Sequence, residues 1–485
     1  MKKKVLFVNP PFYRILGSHY NGISLGISYI ASILNQEGHD AWVYNADFLG
    51  TREYKSSYKV YKDFSNYIDI FQKEDHPIWE ETVDSIIKFE PDWVGYTCYT
   101  ANINAIKIIS NKVAKRLPSC RQIVGGVQST LDSALIEKLP AVDYAIKREG
   151  EMSTLKLVNG INPSLIEGVT YRENSKIHEG GFSPIIQLSD QNYFPERDKF
   201  WTHGGRPATL DEKLNMDVSY VITLRGCPYR CTFCASPEIW GRKNLQYRSP
   251  SNVVDEMEIL KNKYWKESHI DYSILSPNSK NKNDLLNDAI KIKDNTIVYF
   301  VDDVFTLKKN RSLKIMQEII DRNLQMPWKC ESRADNIDDD IAEMMSKSGC
   351  VRVKLGIESG SDKILKQIKK DESKKDMRKG SECLKKHGIP ITAYLMTGFP
   401  NETDEDLQET IDFAKEIDAD FYSLSILSPY FGTEIYFESL KENVPLDKEP
   451  WEYFFHQSKK LMLNNTLSDK KLEEFWKLSD IKKYI

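Results

Sequence analysis

Apolar positions along the chain fall into two alternating rhythms, short unbroken runs and longer stretches at helical spacing. Val5 to Val8 is a run that stops at Asn9-Pro10-Pro11, which predicts a strand. Ile23 to Asn35 carries Ile23, Ile27, Ile30, Ala31 and Leu34 at helical spacing and closes near Gly38. Further strands are predicted at Ala41 to Tyr44, Trp93 to Tyr96, Gln122 to Val124 and Tyr144 to Ile146. Helical stretches at Asn104 to Arg116 and Leu131 to Lys138 separate the later ones. Such alternation predicts βαβ units on a parallel sheet, with ligands held outside the carboxyl ends of the strands. Residues 49–82, aromatic and charged, read as an insertion or lid.

From Asn162 to about Met216 the periodicity fades among Pro163, Gly180-Gly181, Pro184, Pro195 and Pro207, a connector. The alternation then resumes. Tyr220 to Leu224, Thr296 to Val301, Trp328 to Ser332, Val351 to Ile357, Ile391 to Met396 and Phe421 to Leu427 are predicted strands, and Val253 to Lys263 is an amphipathic helix. Each strand ends in polar or glycine-bearing residues, which suits an open (β/α)6 barrel with its active site at those ends. The expected organisation is a first α/β domain over 1–160, a linker over 161–215, the barrel over 216–435 and a small helical cap over 436–485. The aromatic cap (Trp451, Tyr453, Phe454, Phe455, Trp476) shows no catalytic constellation.

Composition adds exclusions. With 40% hydrophobic and 28% charged residues and a net charge of −4, this is ordinary globular material. No basic stripe interleaved with aromatics points to nucleic acid. No apolar run approaches the ~20 residues of a membrane span. Met1-Lys-Lys-Lys4 precedes an apolar run too short for a secretory leader. A cytoplasmic location is expected, and the scattered cysteines read as free thiols or cluster ligands rather than disulfides.

The densest chemistry is in Arg225-Gly-Cys-Pro-Tyr-Arg-Cys-Thr-Phe-Cys234. Its spacing lets one tight loop present Cys227, Cys231 and Cys234 to a single centre. A [4Fe–4S] cluster normally takes four cysteines, so three leave one iron open to another ligand. Structural zinc needs a fourth donor nearby, and no further Cys or His follows within the loop; His269 is the nearest downstream. Cys98, Cys120, Cys330, Cys350 and Cys383 read as small core residues, and the charge run Lys366 to Arg378 as a solvated helix and turn.

Taken with Phe-Val-Asp302-Asp303, Leu-Gly-Ile-Glu358-Ser359-Gly and Thr-Gly398-Phe399-Pro-Asn-Glu-Thr, in that order, this loop resembles the radical S-adenosylmethionine (SAM) superfamily. The first domain resembles the Rossmann-like, flavodoxin-like cobalamin-binding domain of one of its branches, in which a Ser/Thr-bearing turn precedes a Gly-Gly pair that lines the nucleotide-tail pocket. Here those are Thr97 and Gly125-Gly126, and Glu149-Gly150 ends the next strand. A residue without Cβ lets a bulky cofactor approach the backbone. The resemblance covers about residues 1–435.

The resemblance implies three cofactors, a [4Fe–4S] cluster on Cys227, Cys231 and Cys234, SAM, and cobalamin. It implies that Asp302 and Asp303 accept from the methionine ammonium, that Glu358 and Ser359 hold the ribose, and that Met396, Gly398 and Phe399 face the adenine. Arg333 and Arg248 are open to two readings, a carboxylate partner or a structural ion pair. Gly17-Ser-His19-Tyr-Asn-Gly22 has glycine where cobalt-ligating relatives carry an orienting aspartate, so His19 reads as an ordinary loop histidine. Residues 266–295 read as an added loop, either a substrate entrance or a tolerated surface insertion. The activity implied is methylation of an unactivated carbon of a small molecule through a 5′-deoxyadenosyl radical and methylcobalamin, with a flavodoxin or ferredoxin as electron donor. The alternatives are a non-methylating cyclisation or rearrangement on the same cofactors, or a non-catalytic carrier.

Overall fold

The structure is a computed structural model describing residues 1–17, 22–49, 55, 57–188, 193–202, 206–209, 219–264, 297–442, 444, 446 and 450–480. His19 and the 266–295 segment lie outside the described residues.

The first sheet is built on strands β1 (Lys4–Asn9), β2 (Asp40–Asn45), β3 (Trp93–Thr97), β4 (Arg121–Gly125) and β5 (Tyr144–Ile146). These five pair in parallel in the order 2-1-3-4-5. That order is flavodoxin-like, and its ligand site falls where the strand order reverses, between β1 and β3. The runs are continuously apolar because both faces are covered. Val5 and Phe7 pack into a core shared with the second sheet, while Leu6 and Val8 face a second core with the helices Pro77–Phe89 and Ile103–Arg116.

The expected connector contributes to this sheet. β6 (Val169–Glu173) and β7 (Lys176–His178) form a hairpin antiparallel to β5. β8 (Phe200–Thr202) lies parallel to β2 and carries β9 (Arg206–Pro207) outside it. These strands are short and at the edges, too brief for periodicity to register. The 49–82 segment is likewise more than a lid. The helix Pro77–Phe89 is part of the β2-to-β3 crossover and buries Trp79, Val83 and Ile86. Leu131 to Lys138 splits into helices Val127–Leu131 and Leu135–Lys138, because the Asp132 carboxylate between them accepts from the Ala134 N–H and from Gln128 Nε2.

The second sheet joins β10 (Tyr220–Val221), β13 (Val298–Phe300), β14 (Trp328–Ser332), β15 (Cys350–Glu358), β16 (Ile391–Thr397) and β17 (Phe421–Ile426), all parallel and in chain order. β10 and β17 remain edges, so the barrel is open. The strand expected over Tyr220 to Leu224 breaks at Val221. Asp302 accepts from the N–H groups of Thr223 and Leu224, and the guanidinium of Arg311 donates to Thr223 O. The chain is thereby turned out of the sheet, and β11 (Leu224–Arg225) pairs instead with β12 (Gln246–Tyr247) in an antiparallel ribbon.

Connector and barrel are joined by a buried charge cluster. Glu256, on the helix Pro250–Tyr264, pairs with Arg197 at 2.7 Å and with Arg248. All three side chains are buried. Arg248 is therefore the structural ion pair of the two readings its sequence context left open. Removing one partner of such a cluster strands buried charge, which costs about 3–5 kcal/mol. Glu256→Ala is expected to lose that much in denaturant unfolding. Glu416→Ala, which removes the exposed partner of Arg378, is expected to leave the unfolding midpoint nearly unchanged, because water and salt screen such a pair.

Candidate active site

The cysteine loop begins two residues past a buried clamp. Arg225 donates from Nη1 to Glu149 at 2.6 Å and from Nη2 to Glu151 at 2.8 Å, all three side chains being nearly inaccessible. Gly226 follows at φ +100°, a conformation that turns the loop away from the clamp and suits glycine. Beyond it the loop is pinned on two sides. The Arg333 guanidinium lies 3.8 Å from the centroid of the Tyr229 ring, whose hydroxyl accepts from Asn336 at 3.0 Å. Thr232 donates its N–H to Ile368 O, and its carbonyl accepts from Ile435 N. Cys227 is buried, Cys231 and Cys234 are half-buried, and all three are free thiols.

Around this loop the barrel strand ends carry the residues expected to hold SAM. Asp303 is open at the mouth, with one oxygen accepting from Ser236, two residues beyond Cys234. Although its edge is open to solvent, the protein atoms crowded around it partly desolvate its carboxyl and push it up to about 6 against the pull of that hydroxyl, and its charge reaches Cys227 and Cys234. A cation placed there would favour the ionised form. Glu358 takes a left-handed backbone, φ +64°, beside the Lys370 ammonium at 3.5 Å. Gly356 makes room for that pair, since a Cβ there would stand 2.6 Å from Glu358 Oε1. Met396 is half-buried at the end of β16.

Other expected contacts are engaged inside the protein. Asp302 is buried and holds Thr223 and Leu224. Ser359 Oγ is paired with Thr410 and accepts from the Ser361 N–H. Arg333 donates to Asp335, Lys370 O and Asp371 O as well as covering Tyr229, so the geometry gives it a bracing role. Phe399 is buried, and its N–H and that of Gly398 donate to Glu402. Gly398 sits at φ +86° under Met462, whose Cγ a Cβ would meet at 2.7 Å.

On the other side of the clamp lies a cavity of about 660 Å³. It opens at the β1/β3 switch point and is lined by Thr97, Gly125, Gly126, Glu149 and Gly150 together. Gly126 adopts φ +100° with Cys98 N and O 3.0 Å from where a Cβ would be, so this turn requires glycine. Over Gly125 there is open space, with only Ile146 O at 4.0 Å from a Cβ position. That gap is the cradle a bulky cofactor needs. The carboxylate of Glu149 points to Arg225 and accepts from Ile186 N, so at the cavity it acts through the clamp. The barrel contributes Tyr220, Arg225, Ala235 and Trp240 to the same wall, Ala235 being the residue after Cys234, and the C-terminal segment adds Phe454, Phe455 and His456.

Residues 221–414 match the radical SAM superfamily and residues 15–158 match the B12 binding domain. The chain is 28% identical to PH0819, an uncharacterized methyltransferase of Pyrococcus horikoshii, over 91% of this chain and 84% of that protein. It is 23% identical to the anaerobic magnesium-protoporphyrin IX monomethyl ester cyclase of Rubrivivax gelatinosus, over 74% of this chain and 60% of that one. The radical S-adenosylmethionine methyltransferase TsrM from Kitasatospora setae, solved with cobalamin and a [4Fe–4S] cluster bound, shares the fold with a TM-score of 0.67 at 17% identity. That match covers 99% of this chain and 91% of TsrM. The chain is a cobalamin-binding radical SAM enzyme.

Its cofactors are accordingly the [4Fe–4S] cluster, SAM and cobalamin, and the residues present fit them. Among the described residues no three His, Cys, Asp or Glu side chains converge as ligands of one metal ion would. Three thiols on one loop suit a cluster of several irons. Among the described residues, too, no helix is long and apolar enough to cross a membrane.

Several parts of this radical SAM site escape sequence reading. Lys370 and Glu372 lie in the charge run expected to be solvated, yet both are buried behind the cysteine loop. Arg225 and Glu151 pair across the domains, so neither advertises itself locally. His456 follows four aromatic residues in a five-residue stretch, and nothing nearby marks it as facing a cavity.

Replacing Cys227, Cys231 and Cys234 together by alanine is expected to abolish iron incorporation and dithionite-driven cleavage of SAM, read by iron analysis and 5′-deoxyadenosine formation. Burial pushes the His456 imidazole down from the usual 6.5 to about 4. The folded protein thus binds this proton less readily than the unfolded chain. The stability His456 permits is whole above its unfolded value and is lost as pH falls toward the folded one. His456→Gln is expected to flatten the fall of the thermal midpoint between about pH 6.5 and pH 4.

Proposed function

We propose that this enzyme is a cobalamin-dependent radical SAM methyltransferase acting on an unactivated carbon of a small molecule. The observation that carries the reading is the shared wall between the two cofactor regions. One cavity runs from the Gly125-Gly126 turn to Ala235, directly beside the cysteine loop. When bound, the cluster and SAM supply a 5′-deoxyadenosyl radical, and cobalamin supplies a transferable methyl group.

The chain's own residues serve that chemistry by position. Asp303 offers a carboxylate to the SAM ammonium near the cysteine loop. Glu358, constrained by Lys370 and by its backbone, offers acceptors to a ribose diol. Aromatic residues of the C-terminal segment, Phe454 and Phe455, cover the cavity and exclude water from a radical site. Asn464 donates from Nδ2 to Phe399 O and Glu402 O, tying that segment to the barrel rim. A flavodoxin or ferredoxin is the electron donor this scheme requires.

The relationship to the magnesium-protoporphyrin ester cyclase favours a second reading, an oxidative cyclisation on the same cofactors. Methyl-labelled SAM separates the two. Methyl transfer predicts label in the product, with S-adenosylhomocysteine and 5′-deoxyadenosine formed in equal amounts. Label that never reaches product, or only one of the two nucleosides, rules that cycle out.

A further inference from the structure

Arg148 stands apart from the other charged residues of the cavity wall. It follows β5 and lines the cavity with Gly125, Gly126 and Thr130. Its backbone is left-handed, φ +65°, a conformation rare for a residue with a long side chain. That conformation is held in place. The Arg148 N–H donates to Thr130 Oγ1 at 2.8 Å, and the same hydroxyl donates to Gly126 O at 3.2 Å. The residue is therefore tethered to the turn that leaves open space over Gly125.

The guanidinium itself has no charge partner among the described residues. Among the described residues it makes no ion pair or hydrogen bond, and its Nε is buried without a partner. Its one contact of note is the face of Phe182, with the guanidinium carbon 3.9 Å from the ring centroid. Arg225, the other cation at this cavity, is closed off by Glu149 and Glu151. A guanidinium with its Nε buried and unpartnered, carried on a strained backbone, is held ready for an anionic ligand that would complete it. A planar guanidinium steadied on an aromatic face is the donor best suited to a phosphate.

Cobalamin carries one such group, the phosphodiester that links its nucleotide tail to the corrin side chain. We infer that Arg148 binds this phosphodiester, and that the domain thereby selects complete cobalamin over corrinoids lacking the nucleotide tail. The inference rests on the cobalamin assignment and adds the residue that reads the tail's charge.

The test is binding rather than turnover. Full-length protein with its cluster reconstituted, and prepared free of corrinoid, is titrated with hydroxocobalamin and with dicyanocobinamide, which keeps the corrin but lacks nucleotide and phosphate. Wild type is expected to favour cobalamin by about tenfold or more, the scale of a charge-assisted hydrogen bond. Arg148→Gln is expected to lose that preference through weaker cobalamin binding alone, and Arg148→Lys to keep part of it. Arg148→Gly relieves the left-handed backbone, so it is expected to keep or raise the thermal midpoint while showing the same selective loss. Unchanged cobalamin affinity in Arg148→Gln, or equal loss of both corrinoids in Arg148→Gly, would overturn the inference and leave the cobalamin assignment standing. Wild type that binds neither corrinoid overturns both.

Discussion

Everything at this site is referred to one guanidinium. Arg225 lies two residues before the first cysteine of the loop, and the carboxylates that hold it, Glu149 and Glu151, flank a glycine in the wall of the cavity at the β1/β3 switch point. The cysteine loop therefore cannot shift relative to the first sheet without breaking a desolvated ion pair. Such a triad contributes little net stability, because removing three charges from water costs about as much as their attraction returns. Its value is geometric. Buried at full depth, it tolerates one arrangement of the two domains, and the rings of Tyr29 and Trp240 at 5.4 and 5.8 Å enclose it further.

The apolar contacts around the clamp reinforce the same constraint. One face of the first sheet and the barrel interior form a single core, so Val5 and Phe7 belong to the same packed cluster as Val298 and Trp328. The C-terminal segment closes the third side. Phe455 stacks on Phe64 and meets Phe12 edge-on, Trp476 stacks on Tyr61, and Met462 covers Gly398 at the barrel rim. Sheet, barrel and cap are thus locked around one cavity, and all three contribute to its wall.

The architecture was legible because it is carried by local signals. Parallel strands buried on both faces read as unbroken apolar runs, and the six barrel strands stand in the expected order, five with ends displaced by no more than two residues and β10 stopping three residues early. The errors fell where a tertiary contact overrides the local pattern. Asp302 breaks β10, Asp132 divides a helix, and the connector's strands exist because the edges of the first sheet accept them. Site residues followed the same division. Thr97, Gly125, Gly126 and Gly150 were legible as strand-end residues that meet at one cavity. Asp302, Arg333 and Ser359 were legible as polar residues in the right strings, but their side chains turn inward to brace those strings.

The amino-acid order alone determined the element sequence, the triplet of thiols on one loop and the glycine turn after β4, since each depends on residues close together in the chain. Tertiary structure decided which charges are paired. Arg225 with Glu149, Arg248 with Glu256 and Lys370 with Glu358 are contacts between different elements, and the same packing leaves the Arg148 guanidinium on the Phe182 ring with no ion pair among the described residues. A charge's role depends on what the fold brings within a few ångströms of it, and that distance is not written in the local sequence.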